Sequence, residues 1–200
     1  MIFEQILIGG DRNFAYLVGD ERSRKAAVVD TAYHPEKLLE KAEKHSLKIK
    51  YVINTHDHYD HNSGNDYILK RTGADLVGYG LRKPAISIKD QDELLLGGLK
   101  IKLIYTPGHT TDSICILAEN KLMTGDTLFI GKVGGTGLGQ DARQEYESLH
   151  NKLMVLPDEI EVWPGAAQLA MDPILDPIRD HPRFQALLER YRDDGVPRRR

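Results

Sequence analysis

The sequence lacks the features that would mark a disulfide-rich, membrane-spanning or nucleic-acid-binding protein. One cysteine among 200 residues excludes an intramolecular disulfide and fits a reducing compartment. A formal net charge of −3 gives no excess that would favour nucleic acid or an anionic membrane. No apolar run approaches the length of a membrane span, and the first eight residues do not resemble a signal peptide. We therefore expect a cytoplasmic protein with a small-molecule substrate and no nucleic-acid or membrane partner; the oligomeric state stays open.

Apolar patterning favours an α/β fold. Strand patterns cover residues 14–18, 26–30, 48–54, 74–79 and 159–163, and the segment 93–127 contains four more, over residues 93–96, 99–105, 113–118 and 121–123, separated by turns. Helical patterns cover residues 35–45, 62–71 and 142–154. Strands that alternate with helices, followed by a run of strands and then another helix and strand, predict two sheets with helices outside both.

The last thirty residues differ in composition from the rest. Residues 172–177 have the alternating Asp and Pro of a linker. The apolar residues at 184, 187, 188 and 191 have the spacing of a short amphipathic helix. We expect one domain over residues 1–170, then a linker, this short helix and a frayed basic tail over residues 171–200.

The run Thr55-His56-Asp57-His58-Tyr59-Asp60-His61 has the highest density of metal-ligating side chains. Imidazole and carboxylate are the groups that Zn²⁺, Fe²⁺ and Mn²⁺ take where no thiolate is offered. Counted with ligands from elsewhere in the chain, the run offers more ligating side chains than one catalytic ion can use while it keeps coordination positions open for water. This surplus favours two ions. His109, in the turn 106–111, and Asp126, in the segment 123–128, each follow a predicted strand and are the candidates to complete the set.

In order and spacing, Thr55–His61, Gly108-His109-Thr110 and Gly125–Phe129 resemble the metallo-β-lactamase superfamily, in particular its glyoxalase II-like branch. The resemblance runs from about residue 5 to Gly165. It implies a four-layer αββα sandwich: two mixed β-sheets, helices on both outer faces, and metal ions at one edge of the sheets. It also implies that Asp30, at the end of a strand, supports the ligand loop.

The resemblance further implies six metal ligands in this chain. They are three imidazoles for one ion, a pair for a second ion and one carboxylate that bridges both: His56, His58 and His109; Asp60 and His61; and Asp126. The family's last ligand is a histidine soon after Pro-Gly, where this chain reads Pro164-Gly165-Ala166-Ala167. We therefore expect a tight first zinc site and a weakened second one, with Fe²⁺ or Mn²⁺ as alternative ions.

The activity that the resemblance implies is metal-dependent hydrolysis. A metal-bound hydroxide would attack the carbonyl of a thioester, or of a related ester or lactone. Asp60 is suited to orient that hydroxide as well as to bind metal. Lys132, in the glycine-rich run 131–137, is a candidate contact for a substrate carboxylate. We expect little room after Gly165 for the helical domain with which glyoxalase II holds glutathione.

Two alternative functions stay open. A persulfide dioxygenase of the same fold would hold non-haem iron with His56, His109 and Asp126, although residues 130–135 differ from the segment usual in those enzymes. A metal-binding protein with degraded catalysis is favoured by the missing histidine and opposed by the six ligand positions that remain.

Overall fold

The computed structural model describes residues 1–10, 13–80, 86–129, 131–137, 141–166 and 182. Six strands form the first sheet, side by side in chain order. They are β1 (Ile2–Gly9), β2 (Asn13–Asp20), β3 (Lys25–Val29), β4 (Lys48–Ile53), β5 (Asp75–Gly78) and β6 (Ile86–Ser87). Strands β1 to β3 pair antiparallel and β3 to β6 pair parallel, so this sheet is mixed.

The second sheet has five strands, in the spatial order β11-β10-β9-β8-β7. They are β7 (Glu93–Leu96), β8 (Leu99–Tyr105), β9 (Ile114–Ala118), β10 (Lys121–Gly125) and β11 (Glu161–Pro164). Strands β7 to β10 form an antiparallel meander, and β11 joins β10 in parallel. The helices are α1 (Glu36–Lys44), α2 (Tyr59–Asn62), α3 (Asn65–Thr72) and α4 (Ala142–Ser148), and α4 continues into a π-helical turn over Leu149–Leu153.

Three apolar layers hold these elements together. The alternation along each strand sends one set of side chains between the two sheets, for example Tyr16 and Val18 of β2 against Ile101 and Leu103 of β8. The intervening residues of the first sheet, such as Leu17, pack under α1 and α3. Leu149 and Leu153 of the π-helical turn that follows α4 pack against the outer face of the second sheet. The predicted four-layer αββα sandwich is confirmed.

The structure differs from the sequence prediction in its less regular elements. Strands β1 and β6 were not predicted. Strand β1 lies at the edge of the sheet, and only Ile6 and Ile8 are buried in it, so the alternation of buried and exposed residues is too short to mark a strand. The helix predicted over residues 62–71 is α3, which begins at Asn65; the short helix α2 before it was not predicted, and the two are separated near Gly64, where a Cβ would lie 1.7 Å from the Thr31 carbonyl oxygen. Apart from residue 182, the segment 171–200 lies outside the described residues, and the predicted linker, helix and tail there stay predictions. Among the described residues, every helix is too short or too polar to cross a bilayer.

Candidate metal centre

The candidate ligands converge at one edge of the two sheets because each follows a strand that ends there. Thr55–His61 follows β4, His109 follows β8 and Asp126 follows β10. The Ile114 amide of β9 donates to the Thr55 carbonyl at 2.8 Å, which joins the ligand loop to the second sheet. Gly125 has φ +49, and a Cβ there would lie 2.6 Å from Thr55, so a glycine lets the Asp126 strand approach the loop.

Three imidazoles face one another with ring nitrogens at hydrogen-bond distances. His56 Nε2 lies 2.9 Å from His58 Nδ1, and that Nδ1 lies 3.2 Å from His109 Nε2. His56 and His109 are buried and His58 is half-buried. Nitrogen ligands of a tetrahedral zinc, each about 2.0–2.1 Å from the ion, lie about 3.3 Å apart. The spacing of this cluster is therefore close to that of a three-histidine metal site.

Hydrogen bonds on the far side of three rings fix which nitrogen faces the centre. The Thr55 hydroxyl donates to Asp30 Oδ2 at 2.8 Å, so its oxygen is left to accept from His56 Nδ1 at 3.1 Å. His61 Nδ1 lies 2.9 Å from Asp30 Oδ2, and His109 Nδ1 lies 2.9 Å from the Gly135 carbonyl oxygen. Because these oxygens accept the Nδ1 protons, the Nε2 lone pairs of all three rings are free for a cation.

A second group of potential ligands comprises His56, His61 and Asp126, whose ligand atoms lie within 4.8 Å of one another. Asp126 Oδ1 lies 3.1 Å from His61 Nε2, while Asp126 Oδ2 lies 3.6 Å from His109 Nε2. One carboxylate thus faces both groups, as a bridging ligand would. His61 Nε2 and Asp126 Oδ1 are buried and face each other at 3.1 Å, but among the described residues neither forms a hydrogen bond of good geometry, and a bound cation would satisfy both atoms.

The charges around the centre favour a cation. Burial lowers the pKa of His56 well below its ordinary value, and the neighbouring imidazoles lower it further, which favours the neutral ring, the form that binds a metal ion. Burial also acts against a charged His61, but Asp30 and Asp126 outweigh it and raise the pKa of His61 well above its ordinary value. The carboxylates therefore favour positive charge at His61 Nε2, the charge that a divalent ion would bring.

Asp60 is at the rim of the centre and does not belong to either close group. Its carboxylate is 44% exposed, and its Oδ2 lies 3.7 Å from His61 Nε2. The Asn13 side-chain amide donates to Asp60 Oδ2 at 3.2 Å and to the Asp60 carbonyl at 3.0 Å, which ties the residue to the start of β2. This position suits contact with solvent and substrate as well as with a metal ion.

Ala166 and Ala167 occupy the two positions at which the resemblance allows a last histidine ligand. The Gly165 amide donates to the Gly125 carbonyl at 2.9 Å, so the chain after β11 runs beside the residue that precedes Asp126. Ala166 is 3% exposed and offers only a methyl group. The second group therefore gains no ligand from this position. His181, the one histidine after Gly165 in the sequence and a candidate replacement ligand, lies outside the described residues.

The glycine-rich run after β10 packs against His109. Besides the Gly135 carbonyl, which accepts from the ring, Gly134 approaches so closely that a Cβ there would lie 2.5 Å from His109 Nδ1. Lys132, the predicted substrate contact, has its Nζ 5.2 Å from the centre of the Phe129 ring. The structure thus adds a role that the sequence did not predict: the glycines let backbone support an imidazole.

Three supporting residues escaped the sequence analysis. Asn13 contacts Asp60, Thr55 contacts His56, and Glu145 of α4 accepts a hydrogen bond from the His109 amide at 2.6 Å. Burial raises the pKa of Glu145 to about 8, despite the His109 amide, which favours the charged form. No local pattern distinguishes these residues, because each contact joins distant parts of the chain or depends on strand-end geometry.

Comparisons with known proteins agree with this geometry. The model of the metallo-beta-lactamase superfamily matches residues 8–165. The cytoplasmic hydroxyacylglutathione hydrolase of Arabidopsis thaliana is 38% identical over 165 residues, which are 76% of this chain and 63% of that protein. The hydroxyacylglutathione hydrolase of Polaromonas sp. is 34% identical over 175 residues, 82% of this chain and 66% of that protein. The chain thus spans slightly under two thirds of the length of these relatives.

Solved structures share the fold. ETHE1 from Myxococcus xanthus superposes with a TM-score of 0.82 at 31% identity, covering 99% of this chain and 93% of that one. The BLEG-1 B3 metallo-beta-lactamase superposes with a TM-score of 0.77 at 24% identity, covering 90% of this chain and 98% of that one. The fold and the two groups of His and Asp ligands together support a divalent metal centre.

Proposed function

Because this chain belongs to the metallo-β-lactamase superfamily, we propose that it is a metal-dependent hydrolase of thioesters, similar to glyoxalase II. The observation that carries the proposal is the set of four imidazoles and one carboxylate whose ligand atoms converge, with three Nε2 lone pairs freed by hydrogen bonds at Nδ1. The curated hydroxyacylglutathione hydrolases at 34–38% identity support the same chemistry.

Zinc is the ion we propose, and the ligands divide unequally between two positions. His56, His58 and His109 would hold one ion tightly, because three imidazoles are a complete protein set for a catalytic zinc. His61 and Asp126 would hold a second ion together with the rim residue Asp60, more weakly because alanines follow Gly165 where the family has its last histidine ligand. Bound there, divalent ions would supply Lewis acidity that lowers the pKa of a water molecule and polarises the thioester carbonyl.

The protein's own groups would orient the reactants. Of the three carboxylates around His61, Asp60 is the most exposed, at 44% against 15% for Asp126 and 2% for Asp30. Asp60 can therefore accept a hydrogen bond from an attacking water molecule while Asn13 fixes its position. Asp30 reaches the centre through Thr55 and His61, so its role is to hold ligands. Lys132 remains our candidate contact for a substrate carboxylate.

The experiment that tests this function has two parts. Protein purified without added metal is analysed for metal identity and stoichiometry before and after dialysis against a mild chelator. We expect one retained ion per chain and a second that is lost; two ions that both survive dialysis would contradict the unequal division. The loaded protein is then assayed against hydroxyacylglutathione, against thioesters without glutathione, and against lactones. Absence of hydrolysis throughout this panel would refute the proposed function.

A second candidate is iron-dependent persulfide dioxygenation. His56, His109 and Asp126 lie together as two imidazoles and a carboxylate, a set that suits non-haem Fe²⁺. The likeness to ETHE1 supports this candidate, though less well than the curated hydrolases support the first. Oxygen uptake by the iron-loaded protein with glutathione persulfide, measured beside thioester hydrolysis, distinguishes the two.

We also propose a cytoplasmic location, as in the name of the Arabidopsis relative.

A further inference from the structure

Helix α4 and its N-terminal cap form hydrogen bonds with the loop that carries His109. The Ser148 hydroxyl donates to the Pro107 carbonyl at 2.7 Å, and the Asp141 amide donates to the Gly108 carbonyl at 3.2 Å. These contacts fix the two residues that precede His109 against the two ends of the helix. The remaining contact between helix and loop involves His109 itself.

That contact is made by Glu145, a fully buried acid. Its Oε2 accepts a hydrogen bond from the His109 amide at 2.6 Å. Its Oε1 has no hydrogen-bond partner among the described residues. Gly108 makes the approach feasible, because a Cβ there would lie 2.4 Å from the Glu145 Cα. Burying a carboxyl group with one unsatisfied oxygen is unfavourable, so stability alone does not explain an acid at this position.

We propose that Glu145 is a positioning residue whose side-chain oxygen fixes the His109 main chain, and with it the point at which His109 Nε2 meets the other imidazoles. Two hydrogen bonds hold His109: its main-chain amide donates to Glu145, and its ring Nδ1 donates to the Gly135 carbonyl. Neither contact touches a metal ion directly. The inference rests on the metal centre of the proposed function, but it does not depend on which carbonyl compound is hydrolysed.

The test measures metal affinity in the full chain, without substrate. Affinity for Zn²⁺ is determined by chelator competition, and the geometry at the three-imidazole cluster by the absorption spectrum with Co²⁺. Glu145→Leu removes the acceptor and should weaken Zn²⁺ binding about 10–100-fold, the usual effect of losing a partner of a ligand. Glu145→Gln keeps a carbonyl acceptor at the same reach and should bind as the parent does. Glu147→Leu, at an exposed position of the same helix, is the matched control and should also bind as the parent does.

A third variant separates acceptor position from charge. Glu145→Asp keeps the acid but withdraws the oxygen by about 1.5 Å, one carbon–carbon bond, so it should weaken Zn²⁺ binding and alter the Co²⁺ spectrum. Parent-like binding by the Leu variant would overturn the proposal, as would parent-like binding by the Asp variant together with weak binding by the Gln variant. If the Leu variant does not fold, the Gln and Asp variants still decide. Because no substrate is used, a parent protein that binds metal but hydrolyses nothing would refute the proposed function and leave this inference standing.

Discussion

Replacement of Gly134 by alanine tests whether backbone contact holds the metal centre in register. The new Cβ would lie 2.5 Å from His109 Nδ1 and 2.4 Å from the Asp126 carbonyl oxygen. An ordinary contact begins at 3.4 Å, so the imidazole or the loop must move by about 0.9 Å. The Gly134 amide also donates to the Asp126 carbonyl at 2.8 Å, so a displaced loop would disturb both ligand residues.

A displacement of this size has predictable consequences. Misplacing a reacting or ligating group by about 1 Å can cost about 100-fold in rate, and overpacking of a tight site costs about 1–3 kcal/mol of stability. We therefore expect Gly134→Ala to lower kcat/KM for thioester hydrolysis by about two orders of magnitude. Zn²⁺ affinity should fall as well, and the metal-free protein should unfold at a lower temperature.

The adjacent glycine provides the control. A Cβ at Gly135 would meet nothing within 4 Å, and its φ lies outside the left-handed region. Gly135→Ala leaves the main-chain carbonyl that accepts from His109 in place, so activity and affinity should be unchanged. Its stability should stay the same or rise by about 0.4–1 kcal/mol through a less flexible unfolded chain. If the two variants behave alike in activity and metal affinity, the steric account of this loop is wrong.

Three further predictions follow from other parts of the structure. Lys132→Ala should raise KM with little change in kcat in steady-state hydrolysis, and an unchanged KM would exclude the substrate contact. Hydrogen bonds from His45 and then Lys41 lower the pKa of Glu4, so its stabilising effect is present above pH 4.5, the ordinary value for a glutamate, and is lost as the pH falls through the lowered pKa. Glu4→Gln should therefore cost about 0.5 kcal/mol in urea unfolding at pH 7 and nothing at acid pH; a difference independent of pH would contradict this. Burial raises the pKa of Cys115 to about 12, so the native protein should resist a thiol reagent at pH 8, and one thiol per chain should react after unfolding; rapid labelling of native protein would show the thiol to be exposed.

Local pattern accounts for the regular part of the fold. Apolar alternation depends on neighbours two residues apart, so strands such as β2, β4 and β8 could be predicted from sequence. The helix predicted over residues 62–71 forms but begins only at Asn65, after a break near Gly64 where the chain passes close to the Thr31 carbonyl from another part of the chain. A break of that kind is decided by packing, which propensity does not contain.

The candidate ligands could be named from the sequence because imidazoles and carboxylates at such spacing have few other uses. Folding decided how they are held. Glu145 reaches the His109 amide across 36 residues, and Asn13 reaches Asp60 across 47. Hydrogen bonds between residues so distant in sequence form only after the two sheets and α4 have packed, because the burial of apolar surface brings those groups together. A pattern among neighbouring residues cannot predict them. The sequence thus determined the chemistry available to this protein, and the tertiary structure determined where each nitrogen lone pair points.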